Sequence, residues 1–265
     1  MGGVPEAGRT SPALLDVRNV VVRFGALVAL GGVSFQVGRG QICGLIGPNG
    51  SGKTTLFNCI SNIYRCTSGE ILFDGRRVSG APRHRMAAMG IGRTFQNLAL
   101  FASMSVRDNI LVGAHYLGRS GFVAGALHLP QVGHEERRVR ERLNALLDLL
   151  DLRDSAGVLV SSLPFATQKR VELARALIGE PSLLLLDEPA GGLNHAEVEA
   201  LERLLRDVRE RFRLSILLVE HHMNLVMRVS DRVIALEFGR KIADGSPAAV
   251  RREPEVIRAY LGEAA

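Results

Sequence analysis

The run Gly47-Pro48-Asn49-Gly50-Ser51-Gly52-Lys53-Thr54 fits the pattern G-x-x-x-x-G-K-[ST]. Glycines let the main chain turn tightly and approach an anion without Cβ clashes. The N–H groups of such a loop converge into a nest for phosphate oxygens. A helix opening near Lys53 would aim its positive end at the same point. In this reading Gly47, Asn49, Gly50, Ser51, Gly52 and Thr55 surround the phosphates of ATP. Lys53 reaches the β- and γ-phosphates, and the Thr54 hydroxyl ligates Mg²⁺.

A second run, Leu183-Leu184-Leu185-Leu186-Asp187-Glu188, is apolar and ends in two acids. At the carboxyl end of a buried strand such a pair faces the crevice where α/β sheets hold ligands. Asp187 would hold Mg²⁺, directly or through water. Glu188 would lie just beyond it, placed to polarise an attacking water as general base. Read alone, the pair could be an ordinary strand exit before Pro189. A phosphate loop upstream favours the chemical reading.

The elements needed to position these residues are legible nearby. Ile42 to Ile46 is an apolar run of strand length, as expected of a strand buried on both faces. It leads into the glycine loop, and Lys53 to Ile60 follows as a helix. Leu14 to Phe24 alternates through Leu15, Val17, Val20 and Val22, and Val33 to Val37 reads as another strand. Ser68-Gly69-Glu70 opens a strand over Ile71 to Phe73 that turns at Asp74-Gly75. Ile91 to Phe95, Ser215 to Val219 and Arg232 to Leu236 complete the strand candidates. Helical periodicity marks Glu135 to Leu152, Thr167 to Ile178, His195 to Phe212 and Glu253 to Leu261. Gly118 to Gly133 reads as a long connection. Strands and helices alternate at both ends, while residues 97 to 165 carry helical patterns and no clear strand, so a helical block interrupts a parallel α/β core.

Bulk properties bound the function classes. The chain has 265 residues and 46% hydrophobic content, enough for a substantial core. Met1 to Pro12 reads as a loose tail without the apolar segment of a secretory signal. No apolar run is long enough to span a bilayer, so the chain is expected to be soluble by itself. Cys43, Cys59 and Cys66 are odd in number and form no C-x-x-C pair, which argues against a disulfide framework or a zinc site and for a reducing cytoplasm. The net charge of +6 comes almost wholly from arginine. The few aromatics are not interleaved with those arginines, so nucleic-acid binding is not expected.

Taken together, these motifs resemble the ABC transporter ATPase family over about residues 13 to 262. Four further segments agree in order and spacing. Gln96, within Arg93-Thr94-Phe95-Gln96-Asn97, resembles the family's Q-loop glutamine, which reaches toward Mg²⁺ and the attacking water. His221, within Val219-Glu220-His221-His222, resembles the switch histidine at the γ-phosphate, although chemistry alone leaves His222 open. Ala190-Gly191-Gly192-Leu193-Asn194 resembles the D-loop, with Asn194 in place of the usual aspartate. Phe24, within Arg23-Phe24-Gly25, stands where the family stacks an aromatic on adenine; by itself it could equally be core.

The resemblance implies an α/β fold: a P-loop NTPase core with a mainly parallel sheet, an antiparallel N-terminal β portion and an inserted α-helical subdomain. The implied division is a tail over 1–12 and an ATPase domain over 13–265. Its core covers 13–96 and 166–250, its helical insert about 97–165, and its C-terminal extension 251–265. The family signature, usually Leu-Ser-Gly-Gly-Gln, aligns with Leu163-Pro164-Phe165-Ala166-Thr167, and only the leucine survives. Pro164 has neither hydroxyl nor N–H. Thr167 offers a replacement hydroxyl, so the signature is expected to be weakened rather than lost, and the subunit to work best opposite a different ATPase subunit.

Gln41 to Gly47, Lys53 to Ile60, Gly92 to Asn97 and the ending Val256 to Ala264 resemble the ATP-binding subunits of branched-chain amino acid importers. That subfamily implies transmembrane permease subunits, a second ABC ATPase subunit, an external solute-binding protein and a place at the cytoplasmic face of the membrane. Urea or amide uptake, lipopolysaccharide export and a non-transport ABC ATPase stand as alternatives.

Overall fold

The computed structural model describes residues 13–94, 98–115 and 130–261. The tail over 1–12, Gln96 and most of the expected connection after Gly118 lie outside those residues.

Two sheets form the frame. The first is antiparallel: β1 (Leu15–Phe24), β2 (Leu27–Val37), β4 (Ser68–Phe73) and β5 (Arg76–Arg77), in the order β2-β1-β4-β5. The second contains β3 (Ile42–Ile46), β6 (Ile91–Arg93), β7 (Leu183–Asp187), β8 (Ser215–Val219), β9 (Arg232–Glu237) and β10 (Arg240–Gly245), in the order β10-β9-β3-β8-β7-β6. Every pairing in it is parallel except the β9–β10 hairpin. The expected fold class is thus present, with a mainly parallel sheet and a separate antiparallel portion.

Alternation along the parallel strands assigns two cores. Ile42, Leu184, Leu186, Ile216, Leu218, Val233 and Ala235 face one way and join the helices of that side. Cys43, Leu45, Leu183, Leu185, Leu217, Val219, Ile234 and Leu236 face the other way, toward the antiparallel sheet. Helix α1 (Lys53–Ile60) lies between the two sheets, burying Leu56, Phe57, Cys59 and Ile60 in that second core. β1 keeps its apolar residues inward despite a break in strict alternation, because a register shift between Val17 and Val20 accommodates Asn19 at φ 45°.

The helices after α1 are α2 (His84–Ala88), α3 (Val106–Val112), α4 (Pro130–Leu149), α5 (Phe165–Leu177), α6 (His195–Phe212), α7 (Met223–Val229), α8 (Pro247–Val250) and α9 (Pro254–Leu261). Between residues 98 and 177 the described residues carry helices and one isolated bridge, Ser105 to Leu159. Helix α7 packs so closely on β3 that a Cβ at Gly44 would stand 2.5 Å from Val226. A cleft of about 540 Å³ separates α5 from α6, with Leu186 and Asp187 among its lining; none of its lining residues belongs to the phosphate loop.

Several boundaries differ from expectation. β2 starts at Leu27 rather than Val33, because Gly31-Gly32 interrupts the alternation while the pairing with β1 continues. The strand expected over Ile91 to Phe95 is described only to Arg93. The helix expected over Glu135 to Leu152 begins at Pro130 and ends at Leu149, after which Asp151 turns at φ 54°. Helix α5 begins at Phe165, not Thr167. β10 had no apolar signal, since half-buried and exposed residues fill it. Its turn, not read from the sequence, is Phe238-Gly239, where both residues hold positive φ as a tight hairpin demands.

Candidate functional site

The glycine loop joins β3 to α1, and two of its glycines, Gly47 and Gly52, sit where a side chain cannot. A Cβ at Gly47 would stand 2.2 Å from the Leu236 carbonyl oxygen, and one at Gly52 would stand 2.7 Å from the Leu30 side chain. Gly47, Gly50 and Gly52 hold φ of 150°, 76° and 100°. The β9–β10 turn supports the loop from behind, with the Gly239 N–H donating to the Ser51 carbonyl at 3.0 Å. Lys53 is only 5% exposed. Its ammonium group donates to the Gly47 and Pro48 carbonyls at 2.7 and 2.9 Å and lies 3.4 Å from the Ser51 hydroxyl. The cation is therefore folded back into its own loop. Asn49 and Gly50 are exposed at the tip, Thr54 is exposed at the start of α1, and Thr55 is half-buried beside it.

Sheet register sets the distance to the acids. Leu45 on β3 is level with Val219 on β8, and Val219 is level with Asp187 on β7. Two strand spacings of ~4.8 Å put Asp187 about 10 Å across the sheet from the end of β3. The carboxyl ends of all three strands thus lie along one edge of the sheet, where α/β folds hold ligands.

Asp187 is 4% exposed. Burial raises its pKa, opposed by Arg93, whose guanidinium approaches to 3.3 Å. Burial also lowers the pKa of Arg93, which Asp187 opposes. Arg93 lies over the Phe57 ring at 5.4 Å and also donates to the Ser61 hydroxyl. A single buried carboxylate with an exposed threonine at the same edge of the sheet suits Mg²⁺, which binds through one or two protein oxygens plus phosphate and water.

Glu188 leaves the strand at φ 49°, in the left-handed region. Its N–H donates to the Val219 carbonyl at 2.9 Å, and its own carbonyl accepts from Lys169 at 3.2 Å and from the Gly191 N–H at 3.1 Å. That turn carries the side chain to His221, whose Nε2 lies 2.8 Å from the Glu188 carboxylate. His222 instead faces Glu220, at 3.4 Å. The two histidines left open by the sequence are therefore separated by geometry, and His221 is the one that meets Glu188.

Phe24 is 47% exposed, so it is not core. Its ring meets Tyr64 edge to face, with centroids 5.4 Å apart. Asn194 caps α6: its side chain accepts from the Glu197 N–H at 3.0 Å, and Glu197 accepts the Asn194 N–H in return at 2.8 Å. At the altered signature, Pro164 is the N-cap of α5. Phe165 is exposed there, lies under the Lys169 ammonium at 5.3 Å, and leaves no room for a Cβ at Gly192. Thr167 sits half-buried inside the helix.

Sequence reasoning missed the supporting roles of Arg93, Lys169, Tyr64 and Glu220. Glu220 carried a usable signal, since β8 is a second wholly buried apolar strand that runs straight into an acid.

The chain is similar to known proteins over nearly its whole length. The profile of the ABC transporter family matches residues 30–191, and that of the branched-chain amino acid ATP-binding cassette transporter matches residues 240–265. The high-affinity branched-chain amino acid transport ATP-binding protein BraF of Pseudomonas aeruginosa is 40% identical over 96% of this chain and 100% of its own length. The protein of the same description from Salmonella typhimurium, LivG, is 41% identical with the same coverage. Among solved structures, a nucleotide-free ATP-binding cassette from an ABC transporter superposes with a TM-score of 0.80 at 28% identity, over 94% of this chain and 99% of that one. An ADP conformation of such a cassette gives 0.80 at 27% identity, over 95% and 100%. A glycine loop with a buried lysine, an acid pair at a strand end and a histidine seated on the second acid stand at one edge of the parallel sheet, and with these matches the chain belongs to the ABC transporter family as an ATP-binding cassette.

Proposed function

We propose that the chain hydrolyses MgATP to drive uptake of branched-chain amino acids through a membrane permease. The substrate class is carried by the full-length identity of about 40% to branched-chain transporters together with the match over 240–265, a segment outside the ATP site. A lipopolysaccharide export ATP-binding protein from Acidithiobacillus ferridurans is also similar, at 34% identity, and the lower identity makes export the second reading.

The division into a core over 13–96 and 166–250, an insert over about 97–165 and an extension over 251–265 fits this role. Lys53 and the loop amides bind the phosphates, Phe24 stacks on the base, and Thr54, Asp187 and Gln96 hold Mg²⁺. When bound, Mg²⁺ neutralises phosphate charge and orients the terminal phosphate. Glu188 takes a proton from the attacking water, and His221 holds Glu188 and the γ-phosphate in register. A second ATPase subunit faces this site with the start of its own α5, and a solute-binding protein outside the cell delivers the cargo. The working position is the cytoplasmic face of the membrane, against the permease.

The 2.8 Å contact between Glu188 and His221 supports hydrolysis in particular. Glu188→Gln is expected to retain MgATP binding while turnover falls by about two orders of magnitude or more. Steady-state phosphate release beside a nucleotide-binding assay checks this; turnover at the parent rate would refute the role of Glu188.

A further inference from the structure

Glu220 is 1% exposed, and both of its oxygens are committed to main-chain donors. One accepts from the Ala190 N–H at 2.6 Å. The other accepts from the His221 and His222 N–H groups at 2.9 and 3.1 Å. The His222 ring lies 3.4 Å from that second oxygen. These donors belong to two loops: Ala190 stands two residues past Glu188, and His221 and His222 follow Glu220 itself in the loop after β8. Lys169, which donates to the Glu188 carbonyl, adds positive charge in the field of Glu220.

An ionised carboxylate offers only acceptors, and three converging N–H groups are the donors it suits. We propose that Glu220 is a positioning residue for ATP hydrolysis: by binding the main chain on both sides, it sets the separation of the Glu188 and His221 side chains. The inference rests on the proposed roles of those two residues. It does not make Glu220 a catalytic residue, because its oxygens face amides of its own chain.

The amide of glutamine cannot replace it. In either orientation its NH₂ would meet an N–H donor, Ala190 in one and the histidine pair in the other. Displacements on the order of 1 Å at a reacting group cost about a hundredfold in rate. Glu220→Gln is therefore expected to lower single-turnover kcat roughly a hundredfold, with KM for MgATP changed by less than about threefold. Glu220→Asp, which keeps the charge on a shorter arm, should recover roughly a tenth of the parent rate.

The decisive arm combines Glu220→Gln with Glu188→Gln. If Glu220 acts through Glu188, the double variant should be within about twofold of Glu188→Gln alone. Losses that multiply, a loss confined to KM, or parent-rate turnover in Glu220→Gln would each overturn the proposal. If Glu220→Gln fails to fold, Glu220→Asp decides by the same kcat-against-KM comparison; failure of both to fold would make the role structural and overturn it. Parent-rate turnover in Glu188→Gln alone would instead remove the reading on which the proposal rests.

Discussion

Glu188 occupies a backbone region that costs a non-glycine residue on the order of 1 kcal/mol or more. Its amide and carbonyl are both held, by Val219 on one side and by Lys169 and Gly191 on the other, so surrounding structure offsets that cost. The result is a carboxylate turned out of the sheet toward His221. Residue chemistry also separates the three thiols. Burial raises the Cys43 pKa to about 12, whereas hydrogen bonding from Cys59 lowers that of Cys66. Cys66 should therefore be alkylated by iodoacetamide at lower pH than an ordinary thiol, while Cys43 stays unmodified in the folded protein. Peptide mass spectrometry over a pH series checks this; equal labelling of both would contradict the assigned environments.

The elements that carry the site were the most legible in the sequence. β3, α1, α6 and β8 have the expected ends, because each combines an unbroken periodicity with a clear stop. Helix α6 shows how a change of motif residue is absorbed locally. Asn194 keeps the reciprocal cap with Glu197, a task that needs an acceptor rather than a charge. Asn194→Ala should cost about 1 kcal/mol in chemical denaturation, and Asn194→Asp should cost much less. Where the sequence was less legible, tertiary contacts decide. β10 is a strand because its hairpin tip closes on Ala29 and the phosphate loop, not because its residues alternate. The Arg93 side chain crosses from the edge strand to Asp187, a relation that spacing along the chain does not encode. The placement of Glu220 likewise depends on two loops meeting across the sheet.

For the whole molecule, Phe101, Met104, Val158 and Leu159 expose apolar side chains on adjoining segments. Those segments are tied together by main-chain bonds from Val106 to Val158 and from Val160 to Met104, and Asn109, fully buried, anchors Phe101 through both its N–H and its carbonyl. Under the proposed function, this apolar patch is the surface that would meet the permease. Met104→Glu with Leu159→Glu is expected to leave ATP turnover of the isolated subunit unchanged and to abolish ATP-driven uptake in vesicles carrying the permease; uptake at the parent rate would exclude this patch. No helix among the described residues is long and apolar enough to cross a membrane. Under the proposed function the driving free energy comes from hydrolysis of MgATP held by the loop around Lys53, whose buried ammonium hydrogen-bonds carbonyls of its own loop. Calorimetric titration with MgATP tests it most directly. The parent protein should give saturable one-to-one heat, and Lys53→Ala should bind at least about tenfold more weakly, the equivalent of ~1.4 kcal/mol. Absence of heat with the parent protein, or identical isotherms for the two, would contradict the account.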